Sequence, residues 1–258
     1  MIREATNSDK TSVLKFCKDT FSWGDYVQDV WDSWISEGNL FLYAKKSPVG
    51  ICHAFYSKNQ IWIEGIRIDH IFRRQKIASS LIKHAESIGR EKHISSSYML
   101  IDTQNSSSLS MAKSLDYEIF QTWNFYSLLP HSNSNYNITF EKFLDPKKYS
   151  QFVKSWRWIP FDSHTLSTFY EKNQILKSDV EGDVSTAILT DSEHFDKTLI
   201  VTLFSDSHDS TLQIISFLQN HAIEKNYERI QIFSREKLPV FNSLEHKISF
   251  YLMKKSLD

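Results

Sequence analysis

Residues 60–88 read QIWIEGIRIDHIFRRQKIASSLIKHAESI. The first part, through Ile68, is rich in β-branched residues and predicts a strand. Ile77, Leu81, Ala85 and Ile88 repeat at helical spacing and predict a helix. Between the two stand Arg73, Arg74 and Lys76, at the helix's first turn. A helix N-terminus carries partial positive charge and unpaired N–H donors, so it favours Asp or Glu there. No Ser, Thr, Asp or Asn immediately precedes this helix to cap it. Two readings fit. Either the loop is a solvated basic connection, or its missing partner is an anion held by backbone N–H groups, the helix dipole and the flanking cations.

Working outward, Leu40–Lys46 and Ile51–Tyr56 predict a hairpin around Ser47-Pro48-Val49-Gly50, and Lys58-Asn59 turns the chain into the strand at 60–68. Gly65 lies inside that strand, where glycine marks a bulge or a close backbone approach. Alternation puts Glu64 on one face with Ile66 and Ile68. A carboxylate half-buried beside apolar walls has its pKa raised, as a general base near neutral pH requires. The other reading pairs Glu64 with Arg67 or another cation at the sheet surface. Ile2–Thr6 predicts a first strand, and Asn7 or Ser8 caps a helix turning Val13, Leu14, Phe16 and Cys17 inward. In SWGDYVQDVWDSWISEG, residues 22–38, Val27, Val30, Trp31 and Trp34 fit one helical face. Trp23, Asp25 and Tyr26 fall at or before the first turn. They either contact a substrate, or Asp25 caps the helix and Trp23 packs at its start.

The segment IRIDHIFRRQKIASSLI, residues 66–82, resembles the acetyl-CoA-binding motif of the GNAT superfamily of N-acetyltransferases. There a strand is followed by Arg/Gln-x-x-Gly-x-Gly/Ala opening a helix. Arg73 takes the first position, Ala78 the last, and Lys76 stands where the family has Gly; His70 replaces a common Pro. Glycine lets backbone approach phosphate without a Cβ in the way. Lys76 therefore either turns outward and adds a cation or weakens binding. The resemblance implies acetyl-CoA as cosubstrate, with Ile66, Arg67 and Ile68 along its pantetheine arm. Arg73, Arg74, Gln75, Lys76, Ile77 and Ala78 are implied at its pyrophosphate, and Asn105 at CoA. Glu64 is implied as catalytic base and Trp23, Asp25 and Tyr26 at the acceptor, with Asp25 facing a cationic amine. The tyrosine that often protonates the leaving thiolate is Ala112 here. A thiolate is a tolerable leaving group without one, its conjugate acid having a pKa of about 8.5.

Beyond Pro130 the order of elements recurs: strands at Ser185–Thr190 and Thr198–Phe204, a helix from Ser210 to about Asn226, and a strand at Arg229–Phe233. A short helix near Pro239–Leu244 and a strand at Ile248–Met253 complete it. Trp156 and Trp158 are expected at the domain interface. The expected fold class is α/β (α+β): a GNAT fold, its mixed central sheet flanked by helices, then a second, degenerate GNAT-like α/β domain. The expected division is residues 1–130, a linker at 131–137, and residues 138–258. An arrangement similar to the histidine N-acetyltransferases implies a small-molecule amine acceptor such as an amino acid. The alternatives are a protein N-terminal or lysine acetyltransferase, and a catalytically silent CoA-binding module.

Thirty Lys and Arg balance 31 acidic residues, which gives no general pull towards nucleic acid or an anionic membrane. No apolar run is long enough to span a bilayer, and no signal peptide opens the chain. Cys17 and Cys52 are expected as buried thiols in a reducing, cytoplasmic compartment, and two cysteines cannot supply a disulfide framework or zinc site. The ten histidines show no ligand spacing, so no metal is expected.

Overall fold

Tight turns before Pro48 and at Lys58 lay three strands side by side, and helices cover both faces of the sheet they begin. A computed structural model describes residues 1–18, 20–21, 24–145 and 149–258. It divides into two compact units, residues 1–120 with 251–258, and residues 121–250.

The first unit runs β1 (Ile2–Glu4), α1 (Lys10–Cys17), α2 (Val27–Glu37), β2 (Leu40–Ala44), β3 (Pro48–Ser57), β4 (Gln60–Ile68), α3 (Ile77–Glu91), β5 (Ser96–Asp102) and α4 (Ser106–Lys113). Its strands lie in the order β1-β2-β3-β4-β5; only β4 and β5, joined through α3, are parallel. Alternating side chains divide between two faces, as a pleated strand requires. Phe41, Cys52, Ala54, Ile61 and Ile63 pack with Ile77, Leu81, Ile82 and Ala85 of α3. Leu40, Leu42 and Ile51 pack with Val13, Cys17, Val27, Val30, Trp31 and Trp34 of α1 and α2. Both cysteines are buried and free, and burial pushes the Cys17 thiol up to about 12. The first helix is not capped by Asn7 or Ser8. Thr6 and Asp9 form a capping box, and the Arg3 guanidinium holds the Asp9 carboxyl down at about 2.

The second unit contains most of β6 (Glu118–Leu128), then β7 (Thr139–Phe140), β8 (Gln151–Lys154), β9 (Arg157–Pro160), α5 (Ser163–Glu171), β10 (Ile175–Val180), β11 (Asp183–Asp191), β12 (Thr198–Phe204), α6 (His208–Glu224), β13 (Arg229–Ser234) and the start of β14 (Leu244–Ser256). Its sheet order is β6-β13-β12-β11-β10-β7, with β12 and β13 parallel across α6. Ile214, Ile215, Leu218 and Ala222 of α6 seat on Ala187, Leu189, Leu199, Val201, Leu203, Ile230 and Ile232.

Three expectations change. The strand ending at Leu128 does not close the first domain: residues 124–128 pair antiparallel with β13, so the division falls after Phe120 instead of Pro130. The last residues of β14 belong to the first unit, beside β5, where the Leu257 N–H donates to the Ser95 carbonyl at 2.9 Å. Pro239–Leu244 forms a turn and no helix, with Ser243 in the left-handed region at φ 63°. Trp156 and Trp158 build an aromatic cluster of the second unit, edge-on to Phe125 and Phe233 and to Trp123 and Phe233. Among the described residues no helix is long and apolar enough to cross a membrane, and no group of His, Cys, Asp and Glu is arranged to hold a metal.

Candidate active site

The bulge at Gly65 opens the first sheet. Gly65 has φ 63°, and a Cβ there would lie 2.2 Å from the Trp34 ring, so both conformation and space demand glycine. Opposite it the β3–β4 register slips between Ile51 and His53. On the other side β4 pairs with β5 at Gln60↔Ser96 through Ile63↔Met99 and at no later described position, although β4 continues to Ile68 and β5 to Asp102. The strands part there. The β4 backbone groups directed at β5 beyond Ile63, including those of Ile66 and Ile68, face a gap between strands.

The loop leaving β4 aims a helix at that gap. Asp69 caps a single turn at His70–Phe72, its carboxylate accepting from the Ile71 N–H at 3.2 Å. Arg73 is extended and donates from Nε to the Ile68 carbonyl at 3.3 Å. Arg74 and Lys76 are both left-handed, at φ 63° and 58°. Each costs about 1–2 kcal/mol without glycine, and strain of this kind clusters at ligand clamps. Lys76 thus adopts the backbone shape a glycine would take, with its side chain exposed. Among the described residues no side chain caps α3, and its first bond runs from the Ser80 N–H to the Lys76 carbonyl at 2.9 Å. The Ile77, Ala78 and Ser79 N–H groups precede that ladder. Lys45, which sequence reasoning missed, donates to Gln75 at 2.8 Å and adds a fourth cation beside the loop. Its signal, a basic residue at a hairpin turn, is too common to single out.

Glu64 is half-buried between the Trp62 indole and the His53 ring. The Trp62 indole N–H donates to one carboxylate oxygen at 3.1 Å, and the His53 Nδ1 lies 2.9 Å from the other. Arg67 does not pair with Glu64; it grips Asp25 from Nε at 2.6 Å and from one terminal nitrogen at 3.1 Å. Its guanidinium also lies over the Phe21 and Tyr26 rings. Burial acts to lower the Arg67 pKa, but Tyr26 and Asp25 outweigh it and leave the group above its ordinary value. Burial likewise pushes the Tyr26 phenol up.

Asp25 was expected to face a cationic amine. Its carboxylate is 2% exposed and is already answered by Arg67, so that role passes away from it. By the same pairing the Arg67 side chain is turned to Asp25, and its backbone is paired with Ile51 of β3, so neither part borders the strand opening. Trp23 lies outside the described residues. Asn105 caps α4, accepting from the Ser108 N–H at 3.0 Å, and Ala112 is buried in the core.

Residues 7–117 match the family model described as the Acetyltransferase (GNAT) family. The chain carries a GNAT acetyltransferase domain. No curated protein matches the chain. Among solved structures it is similar to a GCN5-related N-acetyltransferase from Sphaerobacter thermophilus, at 10% identity and a TM-score of 0.67, over 100% of this chain and 95% of that one. It is also similar to a tandem GNAT protein from the clavulanic acid biosynthesis pathway, at 10% identity and a TM-score of 0.58, over 100% of this chain and 98% of that one. At such identities the likeness shows the fold, and it extends that fold over both halves.

The two halves differ where the GNAT site would lie. In the second, β12 and β13 stay paired over six positions, from Thr198↔Arg229 to Leu203↔Ser234, and do not part. Ser207 caps α6, its hydroxyl accepting from the Ser210 N–H at 3.3 Å, and Asp209 stands in the first turn. Asp206, just before that helix, accepts from the Val184 N–H at 3.0 Å.

Proposed function

We propose that the first unit transfers an acetyl group from acetyl-CoA to the primary amine of a small molecule, an amino acid among the candidates. The observation that carries this is the strand opening beyond Ile63↔Met99 beside an uncapped helix N-terminus flanked by Arg73, Arg74 and Lys76. Orphan donors and cations at one end of a gap between strands fit a molecule with a pyrophosphate at one end and a slender arm at the other. Residues 73–78 would hold the pyrophosphate, the Ile66 and Ile68 backbone the arm, and Asn105 a further part of CoA. Acetyl-CoA supplies the activated thioester. Glu64 takes a proton from the acceptor ammonium, directly or through water, and the β4 N–H groups facing the opening are donors for a carbonyl oxygen. A screen of amine acceptors with the purified protein tests acetyl transfer itself; release of CoA with no amine, amino acid or peptide would sink it.

Arg73→Glu weakens acetyl-CoA binding about tenfold or more in calorimetry, since a charged hydrogen bond to phosphate is worth about 1.5–3 kcal/mol. Unchanged affinity in that variant would remove the phosphate loop from the proposal.

Each chain binds one CoA. In the second half the strands stay paired and the helix donors meet the chain's own Ser207, so an anion finds neither gap nor vacancy. Titration of CoA against a known protein concentration saturates near one per chain. Saturation near two, with half the sites surviving Arg73→Glu, would show a second site.

A further inference from the structure

His53 is the one histidine among the described residues that is fully buried, and both of its ring nitrogens have partners. It lies on β3 directly opposite Glu64 on β4, at the last paired position before the bulge. One ring face stacks on Trp34, with centroids 4.9 Å apart and planes 10° from parallel. Nε2 is 3.1 Å from the Gly38 carbonyl oxygen. A carbonyl only accepts, so the hydrogen sits on Nε2. Nδ1 is then left to Glu64 Oε1 at 2.9 Å. A single proton on that line makes the pair either imidazolium and carboxylate or imidazole and carboxylic acid, with no net charge in either form. Beyond Nε2, the Glu37 carboxylate at the end of α2 lies 3.5 Å away. Tyr26, Cys52, Asp25 and Arg67 are the other titratable groups of this neighbourhood.

We propose that His53 is a positioning residue that sets the orientation and the protonation of Glu64, making the base of the reaction a buried carboxylate–imidazole pair instead of an isolated carboxylate. The inference rests on the acetyl-transfer reading above. Trp34 and the Gly38 carbonyl fix the ring, and the ring fixes the carboxylate. When the acceptor's N–H bond breaks, its electron pair stays on nitrogen and the new O–H bond forms on Glu64. The pair then holds one positive charge, which Glu37 balances. Without that second carboxylate, the proton would be left as an uncompensated charge on a fully buried imidazole and its partner.

Two replacements separate positioning from packing. Asn at this position reaches about as far as Nδ1 and keeps a donor for Glu64; Gln reaches about as far as Nε2 and keeps only the Gly38 contact. In His53→Gln, kcat falls by ~10²-fold, the acidic limb of the kcat/KM profile moves, and the KM for acetyl-CoA holds. His53→Asn keeps more of kcat than His53→Gln by holding the carboxylate, but its acidic limb moves as well, because an amide cannot share the proton. Equal losses in both, tracking their thermal stability, would reduce His53 to packing. Should either variant not fold, ¹⁵N NMR of the wild type and Glu64→Gln decides: Nδ1 shifts and Nε2 stays if the pair exists, and an unmoved Nδ1 overturns it. A wild type that acetylates no amine defeats the acetyl-transfer reading, whereas the NMR comparison still tests the pair.

Discussion

Glu64→Gln lowers kcat by ~10²–10⁴-fold and removes the acidic limb of the kcat/KM profile. The change keeps the side chain's shape and one oxygen for the Trp62 indole N–H, which donates to Glu64 at 3.1 Å. What it removes is the capacity to take a proton. In the wild type, activity falls as acid protonates the base and leaves the acceptor ammonium with nowhere to discharge. In the variant that dependence has no group to report. Binding is separable, because the loop at 73–78 lies beyond the far end of β4 from the paired half of the strand. Calorimetry should therefore return wild-type affinity for acetyl-CoA. Wild-type kinetics in Glu64→Gln would instead leave His53, Trp62 and Glu64 as a structural cluster at the bulge.

The strand, bulge, loop and helix at 60–88 were legible because each has a local cause: β-branched residues, a glycine, an absent cap, a helical repeat. Lys76 was legible as a departure from a glycine but not as a left-handed residue, since its conformation depends on what surrounds the loop. The pairing of His53 with Glu64 was within reach and was passed over. Counting back from the two-residue turn at Lys58-Asn59 pairs Ser57 with Gln60 and, four steps on, His53 with Glu64. One histidine among ten, in the run ICHAFY, gave no ligand spacing to prompt that count. The Asp25–Arg67 pair was out of reach, because 42 residues separate the partners and nothing local links them. The same holds for the two strands that moved the domain boundary. Hydrophobic alternation identifies a strand and its buried face, but it does not say which edge the strand will join.

The end of β14 carries the largest expected effect on stability. Lys255→Met destabilises the first unit by about 3–5 kcal/mol, the cost of leaving a buried charge without its partner. Glu86 on α3 is 1% exposed, and the Lys255 ammonium reaches its carboxylate at 2.8 Å. The Tyr117 hydroxyl donates to the other oxygen at 2.9 Å and meets the Ser97 hydroxyl at 2.6 Å. Burial and then the Glu86 charge push the Tyr117 phenol upward, so it stays a donor. Arg90, 3.8 Å from Glu86, is too distant and too exposed to take over. An exposed pair would be worth about 0–1 kcal/mol, and the larger figure follows from burial alone. Denaturant unfolding of Lys255→Met, Glu86→Met and the double variant measures the coupling. The double variant should recover much of the single loss from Lys255→Met, because the orphan charge goes with its partner and Tyr117 keeps Ser97. A double variant no more stable than Lys255→Met would mean that the ammonium matters only for its packing over the Tyr117 ring, 5.6 Å from its centre.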